Sequence, residues 1–254
     1  MNTSQQDFAA THYAPRAQDY VTSAVHSSGA DLDQIEALLR GCALGRVLDL
    51  GCGGGHVSYR AAPHVREVVA CDVTPAMLEA VATTAATRGL ANIATRQAPA
   101  ENLPFPDASF DAVLCRFTTH HWQDMEAGLR QARRVARPGA PAIFVDSVAN
   151  ADRALDSHLQ AIELLRDVSH VRNYSLAEWL AALCRAGFPV ETVTLRRVRM
   201  DFPVWIARTR TPPVHEAAIR ALQDSASEAV RQHFAIGEDG SFDLDVAAIT
   251  AVAV

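Results

Sequence analysis

The sequence predicts an α/β fold: a doubly wound, mostly parallel seven-stranded sheet with a helical cap. Three observations carry this. The apolar run Val47–Leu50 ends in a glycine-dense turn, Gly51-Cys52-Gly53-Gly54-Gly55, followed by a helical pattern. A second apolar run, Val68–Cys71, ends in Asp72, at the spacing of about 20 residues where such folds present a carboxylate to ribose hydroxyls. Strand-like runs then alternate with helical patterns, which points to parallel strands joined by crossover helices.

The elements follow in order. Residues 1–30 are polar and dotted with Tyr13, Tyr20 and His26, and read as one or two short helices lying over the domain. Leu32, Ile35, Leu38 and Leu39 have helical spacing, with Asp31 as N-cap. Strand 1 spans about 46–50, a helix runs to about Ala62, and strand 2 spans about 67–72. Thr74 caps the next helix and Pro75 suits its first position; Met77, Leu78 and Val81 continue it toward Gly89. Strand 3 covers about 93–97. Leu103-Pro104-Phe105-Pro106-Asp107 breaks regular structure. Strand 4, Phe110–Cys115, is nearly continuous apolar sequence, as a strand covered on both faces should be. A helix over about 123–136 stops before Pro138-Gly139, and strand 5 covers about 141–146.

Beyond that point the spacing predicts helices over 152–168, 175–186 and 212–232, a strand over Val190–Val198, and a last strand from Phe242 to Val254. The helices at 152–186 and 203–232 are expected to cover the open top of the sheet. One domain of 254 residues is therefore expected, with a helical cover over 1–30, a cofactor-binding core over 31–148 and a cap-bearing half over 149–254.

Bulk properties narrow the function. Composition is ordinary for a globular protein, 49% hydrophobic and 20% charged. The net charge of −6 argues against a nucleic-acid partner, whose electrostatic footprint is basic. Arg196, Arg197, Arg199, Arg208 and Arg210 form a local exception, read either as a solvated strand edge and helix end or as an attractor for an anionic substrate. Cys42, Cys52, Cys71, Cys115 and Cys184 contain no C-x-x-C pair, so neither structural zinc nor a disulfide framework is expected. Reduced cysteines, and no basic segment followed by an apolar run near residue 1, fit a cytoplasmic protein. No apolar stretch approaches the ~18 residues of a membrane span, so no stable membrane insertion is expected.

The tips of the predicted strands carry the chemistry. A dinucleotide fingerprint laid on Gly51 and Gly53 demands a glycine where His56 stands. Asp49 would repel a pyrophosphate. A ligand with a ribose diol, a cationic end and no phosphate explains both: S-adenosylmethionine. Strand 3 is followed by Ala98-Pro99-Ala100-Glu101-Asn102, and strand 4 by Arg116, His120, His121 and Trp122. Ligands of open α/β sheets sit outside these carboxyl ends. The adjacent histidines are expected to diverge, and no third ligand has matching spacing, so no metal is expected; one is structural and the other a general base near neutral pH. Tyr20, His26, His170 and Arg172 are candidates for acceptor contact on the cap.

Residues 47–58, with A-C-D-V-T-P-A-M-L, A-E-N-L-P-F-P-D-A-S-F-D and R-V-A-R-P-G, resemble the UbiE-like (type 11) branch of the class I S-adenosylmethionine methyltransferases. C-R-F-T-T-H-H-W, L-R-D-V-S-H-V-R-N-Y-S and W-I-A-R-T-R-T-P-P look like its YafE-like subgroup. The resemblance runs from Tyr20 to the C-terminus and implies a Rossmann-like sheet with an antiparallel last strand. It implies that Gly51, Cys52 and Gly53 pack against the methionine part and the ribose, and that Asp72 holds the ribose hydroxyls. Val73 and Met77 would flank the adenine, Ala100 and Glu101 its edge, and Arg116 the methionyl end through its backbone. Many relatives have an acid before the Ala-Glu; this chain has Pro99, leaving adenine to neighbouring backbone or to Gln97.

The expected function is methyl transfer to N, O or C of a small aromatic or heterocyclic acceptor, leaving S-adenosylhomocysteine, with His121 or His120 as base. Quinone-ring C-methylation and non-catalytic cofactor binding remain alternatives, and a nucleotide-dependent oxidoreductase is disfavoured by His56 and Asp49. The protein is expected to be a monomer or homodimer.

Overall fold

The computed structural model describes residues 4–17, 20 and 28–254. Among them run seven strands: β1 Arg46–Leu50, β2 Glu67–Asp72, β3 Ile93–Gln97, β4 Ala112–Arg116, β5 Pro141–Ser147, β6 Val190–Met200 and β7 Phe242–Val252. They form one sheet in the order β3-β2-β1-β4-β5-β7-β6. β1 to β5 pair in parallel, while β7 is antiparallel to both β5 and β6. The strand order reverses between β1 and β4, which opens a crevice beyond their carboxyl ends.

The helices are α1 Gln5–Tyr13, α2 Ala30–Leu39, α3 His56–Ala61, α4 Pro75–Thr87, α5 Met125–Val135, α6 Arg153–Arg166, α7 Leu176–Ala186, α8 Phe202–Thr209, α9 Pro213–Asp224 and α10 Glu228–His233. One face of the sheet packs on α5 and α7, through Met125, Leu129, Trp179 and Leu183. The other packs on α2, α3, α6, α8 and α9, through Leu32, Ile35, Val57, Ile162, Trp205 and Ile219. Double coverage explains why Ala112 to Arg116 are all buried and why Ala112 to Cys115 read as an unbroken apolar run.

Three expectations need correction. Asp31 does not cap α2: the helix begins at Ala30 with Gly29 at its cap, and the Asp31 carboxylate turns to Arg116. Phe110 lies outside β4. Its ring packs edge-on against Phe105 at 5.0 Å and under the Arg46 guanidinium at 4.7 Å, and its N–H goes to Val135 O. The helix read over 212–232 is two, because Ser227 caps α10 by accepting from Val230 N and stops α9 short. The helical cover expected from 203 onward begins with α8, capped by Asp201 with Pro203 in its first turn.

Candidate active site

The glycine turn is imposed by crowding below and space above. Gly51 has φ +71°, and a Cβ there would lie 2.2 Å from Thr118 Oγ1. Gly53 has φ +47°, and a Cβ there would meet no atom within 4 Å. Both glycines border one cavity of about 470 Å³. A side chain at 53 would therefore occupy ligand space rather than protein.

Asp72 forms the opposite lip. Its Oδ2 accepts from Gly53 N at 2.9 Å and its Oδ1 from Thr74 N at 2.9 Å. Each oxygen keeps acceptor capacity, and Asp72 borders the cavity with Val73, Thr74 and Met77. Burial pushes its carboxyl pKa up, so the site gains by taking hydroxyl donors. A carboxylate with spare lone pairs beside an open glycine fits a vicinal diol, and this is the fit that S-adenosylmethionine requires.

Other expected residues take varied places. Cys52 is buried against Tyr59, Ala70 and Leu78 and touches the cavity wall only through its glycine neighbours. Asp49, expected to face a cationic ligand end, is instead fully buried, accepts from Ser58 Oγ at 2.6 Å and does not border the cavity. Burial raises its pKa to about 7. Ala100 and Glu101 line a small recess behind Gly51 and Asp72, under Gln6 and Ala9 of α1. Glu101 Oε1 also accepts from Gln123 N at 2.9 Å. Gln97 donates to Val73 O at 3.1 Å, which shapes the loop after β2. Arg116 pairs with Asp31 and lies 4.8 Å over the Phe117 ring. Phe117 itself has φ +51°, an unfavourable conformation for a bulky residue; it turns the chain from β4 toward the histidines.

His120 and His121 do not diverge. They lie on a 3₁₀ turn, Thr119–His121, with ring centroids 4.2 Å apart. Their environments pull their pKa values in opposite directions. His120 Nδ1 sits 2.6 Å from Asp146 Oδ1. Burial opposes its charge, but the Asp146 carboxylate outweighs that and holds the pKa above the usual histidine value. Burial first, and then the His120 charge, push His121 down to about 4. His121 is thus the free base of the pair at neutral pH. Its Nε2 lies 3.0 Å from Tyr13 Oη, and its Nδ1 lies 3.3 Å from Ser169 Oγ. The Tyr13 hydroxyl donates its one hydrogen to Asp167, whose carboxyl, against the cost of burial, is held well below its ordinary range by His12, His121, Tyr13 and Ser169.

Of the cap candidates, Tyr20 borders the cavity and His26 lies outside the described residues. His170 and Arg172 do not border it. His170 Nε2 is 3.0 Å from Gln160 Oε1, and Arg172 reaches Asp156 at 3.0 Å and Glu178 at 3.8 Å. Strand period 2 also divides the arginine cluster. Arg197 and Arg199 pair with Asp243 and Asp245, while Arg196 donates to Gln34 at 2.7 Å. Asp146, Asp167 and Tyr13 escaped the sequence reading. Asp146 stands at the tip of strand 5, the same position that drew attention in the strands before it. Tyr13 and Asp167 had no local signal.

Burial lowers the His170 pKa to about 2. The unfolded chain binds that proton near pH 6.5, so the contribution of His170 is full above pH 6.5 and is lost as pH falls. Between pH 7 and pH 5, wild-type protein is expected to lose about 1–2 kcal/mol more stability than His170→Gln. Urea midpoints at the two pH values measure this; equal losses would remove the assignment.

Residues 48–144 match the family described as a methyltransferase domain. The chain is 42% identical over 201 residues to the uncharacterized protein YafE of Escherichia coli (strain K12), covering 79% of this chain and 97% of that one. It is 33% identical over 226 residues to the uncharacterized methyltransferase YcgJ of Bacillus subtilis (strain 168), covering 89% of each. The crystal structure of that YcgJ protein superposes with a TM-score of 0.84 at 32% identity, covering 87% of this chain and 97% of that one. UbiE of Shewanella oneidensis, the ubiquinone/menaquinone biosynthesis C-methyltransferase, is 35% identical over 105 residues, 40% of this chain and 42% of that one. A Rossmann-like sheet with its last strand reversed, a glycine turn answered by Asp72 and kinship over nearly the whole chain place this protein among the class I S-adenosylmethionine-dependent methyltransferases, in the UbiE-like branch.

Proposed function

We propose that the protein methylates N, O or C of a small aromatic or heterocyclic acceptor, with donor and acceptor meeting in the single cavity above the strand tips. The observation that carries this is the continuity of that cavity: Gly51, Gly53 and Asp72 border it together with Tyr13, His120 and His121. When bound, S-adenosylmethionine supplies a methyl group on a sulfonium, and the carbon–sulfur electron pair returns to sulfur to leave S-adenosylhomocysteine.

The chain's own residues then have separate tasks. Asp72 takes the ribose hydroxyls, and the Gly51-Cys52-Gly53 turn lets the methionine part and ribose approach the backbone. Val73 and Met77 flank the adenine, with Ala100 and Glu101 along its edge. Arg116, tied to Asp31, holds the β4 tip beside the methionyl end. Holding nucleophile and methyl carbon in line accounts for several kcal/mol of the barrier, and α1, α6 and α8 exclude water from the cavity. As the acceptor bonds to carbon it loses a proton. That proton passes to His121, the free base of the pair at neutral pH, while the Asp146 carboxylate holds the His120 pKa up. The Asp167 carboxylate stabilises the imidazolium so formed. We place the protein in the cytoplasm, as a monomer or homodimer.

His121→Ala is expected to lower turnover about 10²–10⁴-fold while the affinity for S-adenosylhomocysteine stays within about threefold. Turnover with labelled methyl donor and calorimetric titration decide it. Equal losses in both would make His121 a binding residue only.

A further inference from the structure

We propose that two copies of this chain join edge to edge through β6, antiparallel about a two-fold axis at Thr194, so that one sheet runs through both. β6 ends the sheet. Its backbone groups turned away from β7 have no partner strand, and among the described residues no loop or helix backbone bonds to them over 191–197. Folded proteins blunt such edges with charge, proline, a bulge or shortness. β3, at the other end of the sheet, is five residues long and carries Arg96. β6 runs for 11 residues, Val190–Met200, and its register shift lies at its start, between Val190 and Thr192. The stretch that follows, Thr192-Val193-Thr194-Leu195, has neither charge nor proline.

Its side chains are uncovered as well. Val193 and Leu195 stand opposite Ile249 and Ala247 of β7. Those two are buried in the cluster that holds Trp179 and Leu183 of α7, whereas Val193 is 36% and Leu195 61% exposed. α7 therefore stops short of the last strand, and an open edge is left with an apolar pair upon it. Charge selects the occupant. A second copy laid antiparallel about Thr194 sets Glu191 opposite the partner's Arg197 at both ends of the joint, and Val193 opposite the partner's Leu195. Glu191 is exposed and has no ion pair among the described residues. The Arg197 side chain is 45% exposed, and its ion pairs with Asp243 and Asp245 are long, at 3.7 and 3.6 Å, so its fork has donors left. Opposed unlike charges and opposed apolar groups both favour strand pairing. Centring the joint on 193 would set Glu191 against Leu195, and centring it on 195 would set Val193 against Arg197. The pairing uses the same edge of each copy, so assembly closes at two.

Sedimentation equilibrium of the full-length protein at concentrations up to about 200 µM tests this. A joint of one strand pair is smaller than a standard interface, so a dimer is expected with a Kd of about 1–100 µM. Leu195→Glu places a carboxylate against the partner's Val193 and should weaken the dimer about tenfold; Glu191→Arg, which opposes like charges, should weaken it severalfold. Both positions are exposed, so melting temperatures at low concentration should match wild type. Crosslinking reads the register. With the exposed cysteines replaced, Cys42→Ser and Cys184→Ser, Thr194→Cys is expected to give a disulfide-linked dimer on mild oxidation. Opposed Cα atoms of antiparallel strands lie about 4.5–5.5 Å apart, within disulfide reach. Thr192→Cys should not crosslink, because its two copies are offset along the strands by roughly 13 Å. A wild-type protein that stays monomeric, a mass that grows past two chains, a dimer that Leu195→Glu leaves intact, or a residue 194 that crosslinks no better than 192 overturns the proposal.

Discussion

Gly51→Ala is expected to destabilise the protein by about 2–5 kcal/mol and to abolish measurable binding of S-adenosylhomocysteine. Two costs add. The backbone at 51 has φ +71°, which costs an L-residue roughly 1–2 kcal/mol. The new methyl would also lie 2.2–2.6 Å from three atoms of Thr118, and relief of such overlap in a packed site costs about 1–3 kcal/mol. Thr118 is not a flexible tip that can swing away: it precedes the turn carrying His120 and His121, and His121 N donates to its carbonyl. Relaxation therefore drags both the glycine turn and the histidine pair. Total stability of a domain is only about 5–15 kcal/mol, so urea unfolding and calorimetric titration should both report the change. A variant that unfolds with wild-type midpoint and binds the product normally would show that residue 51 approaches neither Thr118 nor the ligand as described. Gly53→Ala offers a useful contrast. It meets no protein atom within 4 Å, so its stability cost should be confined to backbone strain while donor affinity falls.

Asp72→Asn should separate affinity from stability. The carboxylate accepts from Gly53 N and Thr74 N and keeps lone pairs for two ribose hydroxyls. An amide presents an NH₂ to one of those N–H donors and retains a single acceptor oxygen. Losing hydrogen bonds to a charged acceptor is worth about 1.5–3 kcal/mol, or roughly 10–150-fold in the affinity for S-adenosylhomocysteine. Folding suffers less, because burial already disfavours the ionised form in the free protein. Removal of that charge offsets part of the lost hydrogen bonding. Calorimetry and thermal melting of the ligand-free variant distinguish the two effects. An Asp72→Asn protein that binds the product as tightly as wild type would remove Asp72 from the ribose site.

How far the site could be read locally varies by residue. Gly51, Gly53, Asp72, Val73 and Met77 are adjacent to strand or helix ends, and periodicity placed those ends correctly; their arrival at one cavity follows from the parallel topology. The histidines were visible as a pair, but the opposite directions of their pKa shifts were not. Those depend on burial of both rings and on Asp146 from the neighbouring β5. Tyr13 and Asp167 are 154 residues apart in sequence, a distance over which no hydrophobic period carries information. His170 and Arg172 looked equally polar beside Tyr20, yet they turn to Gln160, Asp156 and Glu178.

The sequence by itself determined the succession of the first five strands, the limits of β1, β2 and β3, the glycine turn and the acid that answers it, because φ preference, apolar period and strand-end position act within a few residues. The tertiary structure alone decided which histidine has its pKa lowered and which raised, which arginines of β6 pair with acids of β7, and which polar groups of the cap reach the cavity. Those outcomes depend on burial and on through-space charge, and both are set by neighbours that the chain brings together only when it folds.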